Sequence, residues 1–181
     1  MFPKPPDTVV FILLSIVLSY GVAVRNAVWV AEISLWKDVA GKSAFKARPH
    51  TQYGLVLESA GDVSEAESRY LRAMRLDPVY FEAYGALAVI YGKAGDMDKA
   101  EALFKSILRR FPNDYKSRSG LGVTYLLRGR LNEAEEAFKA SLESSPDYVP
   151  AFQNLINLYM LAGREREADE YRKKLSALTR E

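Results

Sequence analysis

The sequence contains no cysteine and only one histidine, His50. The first absence excludes disulfides, thiolate metal sites and cysteine nucleophiles. The second leaves His50 with neither a second imidazole nor a thiolate with which to hold zinc. An excess of charge is also missing. The net charge is +2 over 181 residues, and residues 1–46 account for all of it, with five Lys or Arg against three Asp or Glu. Residues 47–181 hold 20 cations and 20 anions, so no basic stripe is left over for a phosphate backbone. The glycines form neither a P-loop pattern nor GxGxxG, and no nucleophile stands with a base. These gaps argue against an enzyme, a cofactor protein and a nucleic-acid binder; no cofactor and no metal is expected.

Long charge-free runs are scarce, with one exception. Thr8–Val24, TVVFILLSIVLSYGVAV, holds 17 uncharged residues, about 25 Å as a helix and near the short limit for a membrane span. Pro3, Pro5 and Pro6 prevent an earlier helix start, and Arg25 and Asn26 end the apolar run. Tyr20, Trp29 and Trp36 lie at or beyond its far end, where aromatics settle at a membrane interface. Three readings compete: an uncleaved anchor, a signal peptide cut near Gly21-Val22-Ala23, and a buried core helix. The anchor is favoured, because the run exceeds a usual signal core and Lys4 is offset by Asp7. A transmembrane or signal-anchor helix with its interface is therefore expected over 8–31, after a short tail 1–7, with membrane contact through residues 8–24. Counting Lys4 and the amino terminus against Arg25, Lys37 and Lys42 places the C-terminal side in the cytoplasm.

What fills the rest of the chain is a period. Gly61, Gly95, Gly129 and Gly163 stand 34 residues apart, as do Ala66, Ala100, Ala134 and Ala168, and Pro78, Pro112 and Pro146. Self-similarity at this spacing predicts a solenoid of helix pairs. The glycines fall where a left-handed residue ends the first helix of a pair, and the prolines where the second helix must stop. Gly54, Ala88 and Gly122 leave room at the helix crossing, faced by Ala66, Ala100 and Ala134. Glu133, Glu135 and Glu136 read as a solvated face.

Tyr84-x2-Leu87-Ala88-x2-Tyr91, Arg118-x2-Leu121-Gly122-x2-Tyr125 and Phe152-x2-Leu155-Ile156-x2-Tyr159 then identify the pattern, with His50-x2-Tyr53-Gly54-x2-Leu57 as a looser first copy. The sequence resembles the tetratricopeptide repeat (TPR) family over about three quarters of its length. The resemblance implies an all-α TPR solenoid of four helix-turn-helix repeats, 47–80, 81–114, 115–148 and 149–181, preceded by a capping half-repeat helix over 32–46 and one N-terminal transmembrane helix. Trp36 and Val39 of the cap fall where the aromatic and small positions of a second helix belong. The fourth repeat departs from the pattern, with Ile156 at the small position and Arg172 at the aromatic one; Tyr171 is placed to supply that aromatic. His50 takes the Trp position of the first helix and reads as a packing residue.

In TPR proteins positions 2, 5, 9 and 12 of the first helix line the concave face, and their spacing sets them on one stripe. The resemblance thus implies a partner-binding groove made of Arg48, Thr51, Leu55 and Glu58; Glu82, Gly85, Val89 and Gly92; Lys116, Ser119, Val123 and Leu126; and Pro150, Gln153, Asn157 and Met160. Its apolar centre suits an amphipathic helix or an extended apolar peptide. The Lys and Asn clamp that chaperone-binding TPRs use for a terminal carboxylate is not present, since Thr51, Leu55, Ala86 and Gly120 stand at four of its positions and only Lys116 matches.

The junction RNAVWVAEISLWKDVAGKSAFKARPH, Arg25 to His50, resembles the last membrane helix and first TPR of polytopic membrane proteins related to the transmembrane O-mannosyltransferases. That resemblance implies a TPR domain on the periplasmic or extracytoplasmic side, against the charge count. Three functions are open: a membrane-anchored TPR scaffold that binds a protein or peptide partner and supports a multi-protein assembly; an accessory or split C-terminal subunit of an envelope glycan-modifying enzyme; and a self-associating structural stack.

Overall fold

The computed structural model describes residues 7–179, giving the backbone alone for residues 7–9, 13, 22, 23, 25 and 26. Nine helices, and no strand, follow one another among the described residues: α1 (Asp7–Lys42), α2 (Ala47–Ala60), α3 (Val63–Leu76), α4 (Phe81–Ala94), α5 (Met97–Arg110), α6 (Tyr115–Leu127), α7 (Leu131–Ser144), α8 (Val149–Leu161) and α9 (Glu165–Leu178). Each helix packs on the next, which makes the chain an all-helical solenoid of antiparallel pairs α2/α3, α4/α5, α6/α7 and α8/α9.

The turns follow from local chemistry. Gly61 and Gly95, at φ 92° and 84°, cap α2 and α4 in the left-handed region, where a side chain would be strained. Asp62, Asp96 and Asp114 then start α3, α5 and α6 by accepting from the amides of Glu65, Lys99 and Ser117, which satisfies donors that a helix start leaves free. Between helices of a pair, close approach replaces bulk. A Cβ on Gly54 would lie 2.5 Å from the Tyr70 ring, and one on Gly122 2.6 Å from the Phe138 ring. Ala66, Ala88, Ala100, Ala134 and Ala168 are fully buried opposite them. In the last pair Tyr171 stands 5.5 Å from the Tyr159 ring and 6.1 Å from that of Phe152, one residue ahead of the exposed Arg172.

The last third of α1 is part of the stack. Ile33, Trp36 and Ala40 pack with Tyr53, Leu57 and Tyr70. The turn that follows is tied by the Arg72 guanidinium, whose Nη2 donates to the Ala44 carbonyl at 3.2 Å. The buried small residue of this contact is Ala40 rather than Val39, which is half-buried. Between Val10 and Val24 the large apolar side chains described are exposed, Phe11 by 75% and Val17 by 68%.

The expected tail 1–7 lies, apart from Asp7, outside the described residues. The expected transmembrane helix over 8–31 is not shown: among the described residues, no helix is long and apolar enough to cross a membrane. The charge-free run of 17 residues is at the lower end of the roughly 17–25 that a span takes, and α1 continues through Arg25 and Glu32 without a break. One helix of 36 residues therefore stands where separate segments 8–31 and 32–46 were expected.

Candidate functional site

The concave side of the stack holds an open groove of about 900 Å³. Its floor comes from Leu55 of α2, Gly85, Ala86 and Val89 of α4, and Ser119, Gly120 and Val123 of α6, with Asn154 of α8 at one end. Small residues open the middle. At Gly85 the nearest atom to an added Cβ would be Ile107 Cδ1, 3.9 Å away, so the space over this residue is free. Gly120 differs, because a Cβ there would run into the Phe104 ring; this glycine is required by packing against α5.

One wall is aromatic and lies where the loops that join successive pairs meet the starts of α4 and α6. Phe81 meets Phe111 edge-on, with centroids 5.1 Å apart, and Tyr115 meets Tyr148 edge-on at 4.8 Å. Such pairs add specific geometry to the area they bury. Val79 completes this wall and is 66% exposed. Lys116 and Arg110 lie beside it, 5.8 Å and 5.9 Å from the centroids of Tyr115 and Phe111. Glu82 and Asp114 are the carboxylates of the lining, and Asp114 is engaged as the cap of α6, 2.9 Å from the Ser117 amide. Burial, reinforced by Tyr115 and Asp114, raises the Tyr148 hydroxyl above its ordinary pKa.

Of the stripe expected from sequence, the groove brings together Leu55, Glu82, Gly85, Val89, Lys116, Ser119, Val123 and Pro150. It does not include Arg48, Thr51, Glu58, Gly92, Leu126, Gln153, Asn157 or Met160. Thr51 is buried, and its hydroxyl donates to the Ala47 carbonyl. Glu58 turns to the Tyr70 hydroxyl and to Lys93 Nζ at 2.8 Å. Met160 meets Arg172 Nη2. Residues at position 12 sit one turn too far along the helix to share the opening. The aromatic wall was missed. Its signal was present, since Phe81 and Tyr115 both occupy the first position of a repeat, and Phe111 and Tyr148 flank the prolines that end α5 and α7.

Elsewhere the polar chemistry is structural. Glu135 is not solvated as expected. Its side chain is 13% exposed and receives Arg164 Nη1 at 2.5 Å and the Tyr159 hydroxyl at 2.9 Å. Burial acts to raise this carboxyl, but hydrogen bonds from Lys139, Arg164 and Tyr159 hold it down at about 2. Glu101 repeats the arrangement 34 residues earlier, with Arg130 Nη1 at 3.0 Å. His50 is buried, with Nδ1 unpartnered and Nε2 within 3.2 Å of both Arg72 Nε and the Ala44 carbonyl oxygen. Burial lowers its pKa, opposed by the Ala44 carbonyl and aided by Arg72 and Arg69. No group of three potential metal ligands occurs among the described residues.

Comparison with known proteins places this geometry in a family. The family model described as tetratricopeptide repeat matches residues 53–115 and 86–149, together more than half of the chain. None of the curated protein sequences matches it. Among solved structures, PilW, described as a widely conserved type IV pilus biogenesis factor, is 20% identical with a TM-score of 0.78, over 87% of this chain and 73% of PilW. MamA from Desulfovibrio magneticus RS-1 is 20% identical with a TM-score of 0.72, over 87% and 89%. Human IFIT1, solved as a dimer with m7Gppp-AAAA, is 20% identical with a TM-score of 0.70, over 77% of this chain and 35% of IFIT1. At these identities the likeness is one of fold.

Proposed function

Since this chain belongs to the tetratricopeptide repeat family, we propose that it is a binding scaffold that captures an apolar segment of a protein partner in its concave groove while α1 holds it at a membrane. The observation that carries the reading is the open floor of Leu55, Gly85, Val89 and Val123 beside an aromatic wall. A groove of this kind suits a segment that presents apolar side chains at helical or alternate spacing. Exposed apolar side chains along α1 from Val10 to Val24, which nothing in the described chain covers, support the membrane attachment, and the 17-residue charge-free run supports it from sequence. The junction resemblance supports an extracytoplasmic side for the stack. Chemistry is not part of this role.

Val89→Glu combined with Val123→Glu tests the groove. Both positions lie on its floor, and a buried carboxylate there opposes an apolar ligand. Pull-down from solubilised membranes is expected to lose the partner while the helical circular dichroism is retained; unchanged capture would remove the groove from the account. Membrane attachment is tested by alkaline carbonate extraction of the full chain, in which it is expected to stay in the pellet. Release to the supernatant would leave a scaffold without an anchor.

A further inference from the structure

Two groups of cations stand at opposite edges of the stack. At the edge formed by the turns inside each pair, Lys93, Lys99, Arg128, Arg130 and Arg164 are all ion-paired with carboxylates. At the opposite edge, where the loops between pairs form the aromatic wall, Arg75, Arg109, Arg110 and Lys116 are exposed, and no ion pair involves them among the described residues. Two of these, Arg110 and Lys116, stand within 6 Å of the Phe111 and Tyr115 rings that line the groove. Carboxylates stand on this side too: Asp114 caps α6, Asp77 accepts from the Val79 amide, Asp147 accepts from the Ser145 hydroxyl, Glu143 is exposed at the end of α7, and Glu82 faces the opening from the first turn of α4.

Exposed cations beside the Phe111 and Tyr115 rings, next to an apolar floor, give the groove two unlike sides. We infer that the occupant is a protein segment that is apolar on the face against Val89 and Val123 and acidic along the flank that meets Arg110 and Lys116. This rests on the groove reading above and adds the charge and orientation of the ligand. Exposed cations act on approach and on the choice of partner more than on total affinity, so the expected signature is selectivity with a salt dependence. The loop edge lies at the α1 C-terminal end, whereas the exposed apolar part of α1 projects past the opposite edge. A bilayer that holds α1 is therefore remote from this wall, which favours an acidic protein segment over anionic lipid.

The test uses the full chain in detergent and two fluorescent amphipathic peptides with the same leucine face, one with a glutamate flank and one with a lysine flank. Anisotropy titration is expected to show the glutamate peptide binding about tenfold more tightly at low salt, with the preference shrinking at high salt. In Arg110→Glu with Lys116→Glu the preference is expected to reverse, with thermal stability unchanged because both side chains are exposed. Equal affinity for the two peptides in the wild-type chain would overturn the charge selectivity while leaving the groove in place. Binding of neither peptide would overturn both. Vesicles containing phosphatidylglycerol that compete off the glutamate peptide would reassign the wall to lipid.

Discussion

Glu135 shows how single residues join one repeat to the next. Its carboxylate takes Arg164 and Tyr159 from the following pair and Lys139 from its own helix. With its pKa lowered from 4.5 to about 2, it contributes stability that is present above pH 4.5 and is lost as the pH falls towards 2. The melting temperature of the wild-type chain is expected to fall over that window, and that of Glu135→Gln to start lower and fall less steeply. Parallel curves, followed by circular dichroism from pH 7 to 2, would detach this carboxylate from the acid sensitivity. Two helical glycines provide an opposing pair of outcomes. Gly122→Ala forces a Cβ against the buried Phe138 ring and is expected to cost about 1–3 kcal/mol. Gly85→Ala meets nothing closer than 3.9 Å and is expected to stabilise by about 0.5–1 kcal/mol through helix propensity. Denaturant unfolding of both variants decides, and a shared sign would contradict the packing described.

Helices were the most legible level, because a repeated Gly, Ala and Pro each mark a separate physical event. The left-handed cap at Gly95 needs glycine, and Gly95→Ala is expected to lower stability by about 1 kcal/mol, measured as a shift in the denaturant midpoint. Asp62 and Asp96 cap α3 and α5 without standing out in the period, because Arg130 and Arg164 take the same position in the later repeats. The reading of α1 as two segments, 8–31 and 32–46, divides the chain by role, membrane against stack, but no proline stands between Asp7 and Lys42 and the helix runs through that boundary unbroken. Glu135 was misread for lack of the third dimension. Three glutamates in four residues look like a solvent face, and only the position of Arg164 and Tyr159 across the repeat boundary shows that one of them is enclosed.

For the whole molecule, the period settles the scaffold and leaves its selectivity to residues that the period does not constrain. Positions 5 and 9 of the inner helices reached the groove at Gly85, Val89, Ser119 and Val123, while position 12 did not. The aromatic wall arises where loops from neighbouring repeats meet, a juxtaposition set by stacking rather than by spacing along one helix. The central claim is that this groove, rather than the outer surface of the stack, meets a protein partner. Photo-crosslinking tests it most directly, with a benzoylphenylalanine placed in the full-length chain in its own membranes, at Val123 on the groove floor or at exposed Ser68 on α3. The account predicts a discrete adduct from Val123 and none from Ser68. Adducts from Ser68 alone, or the same adducts from both positions, would contradict it.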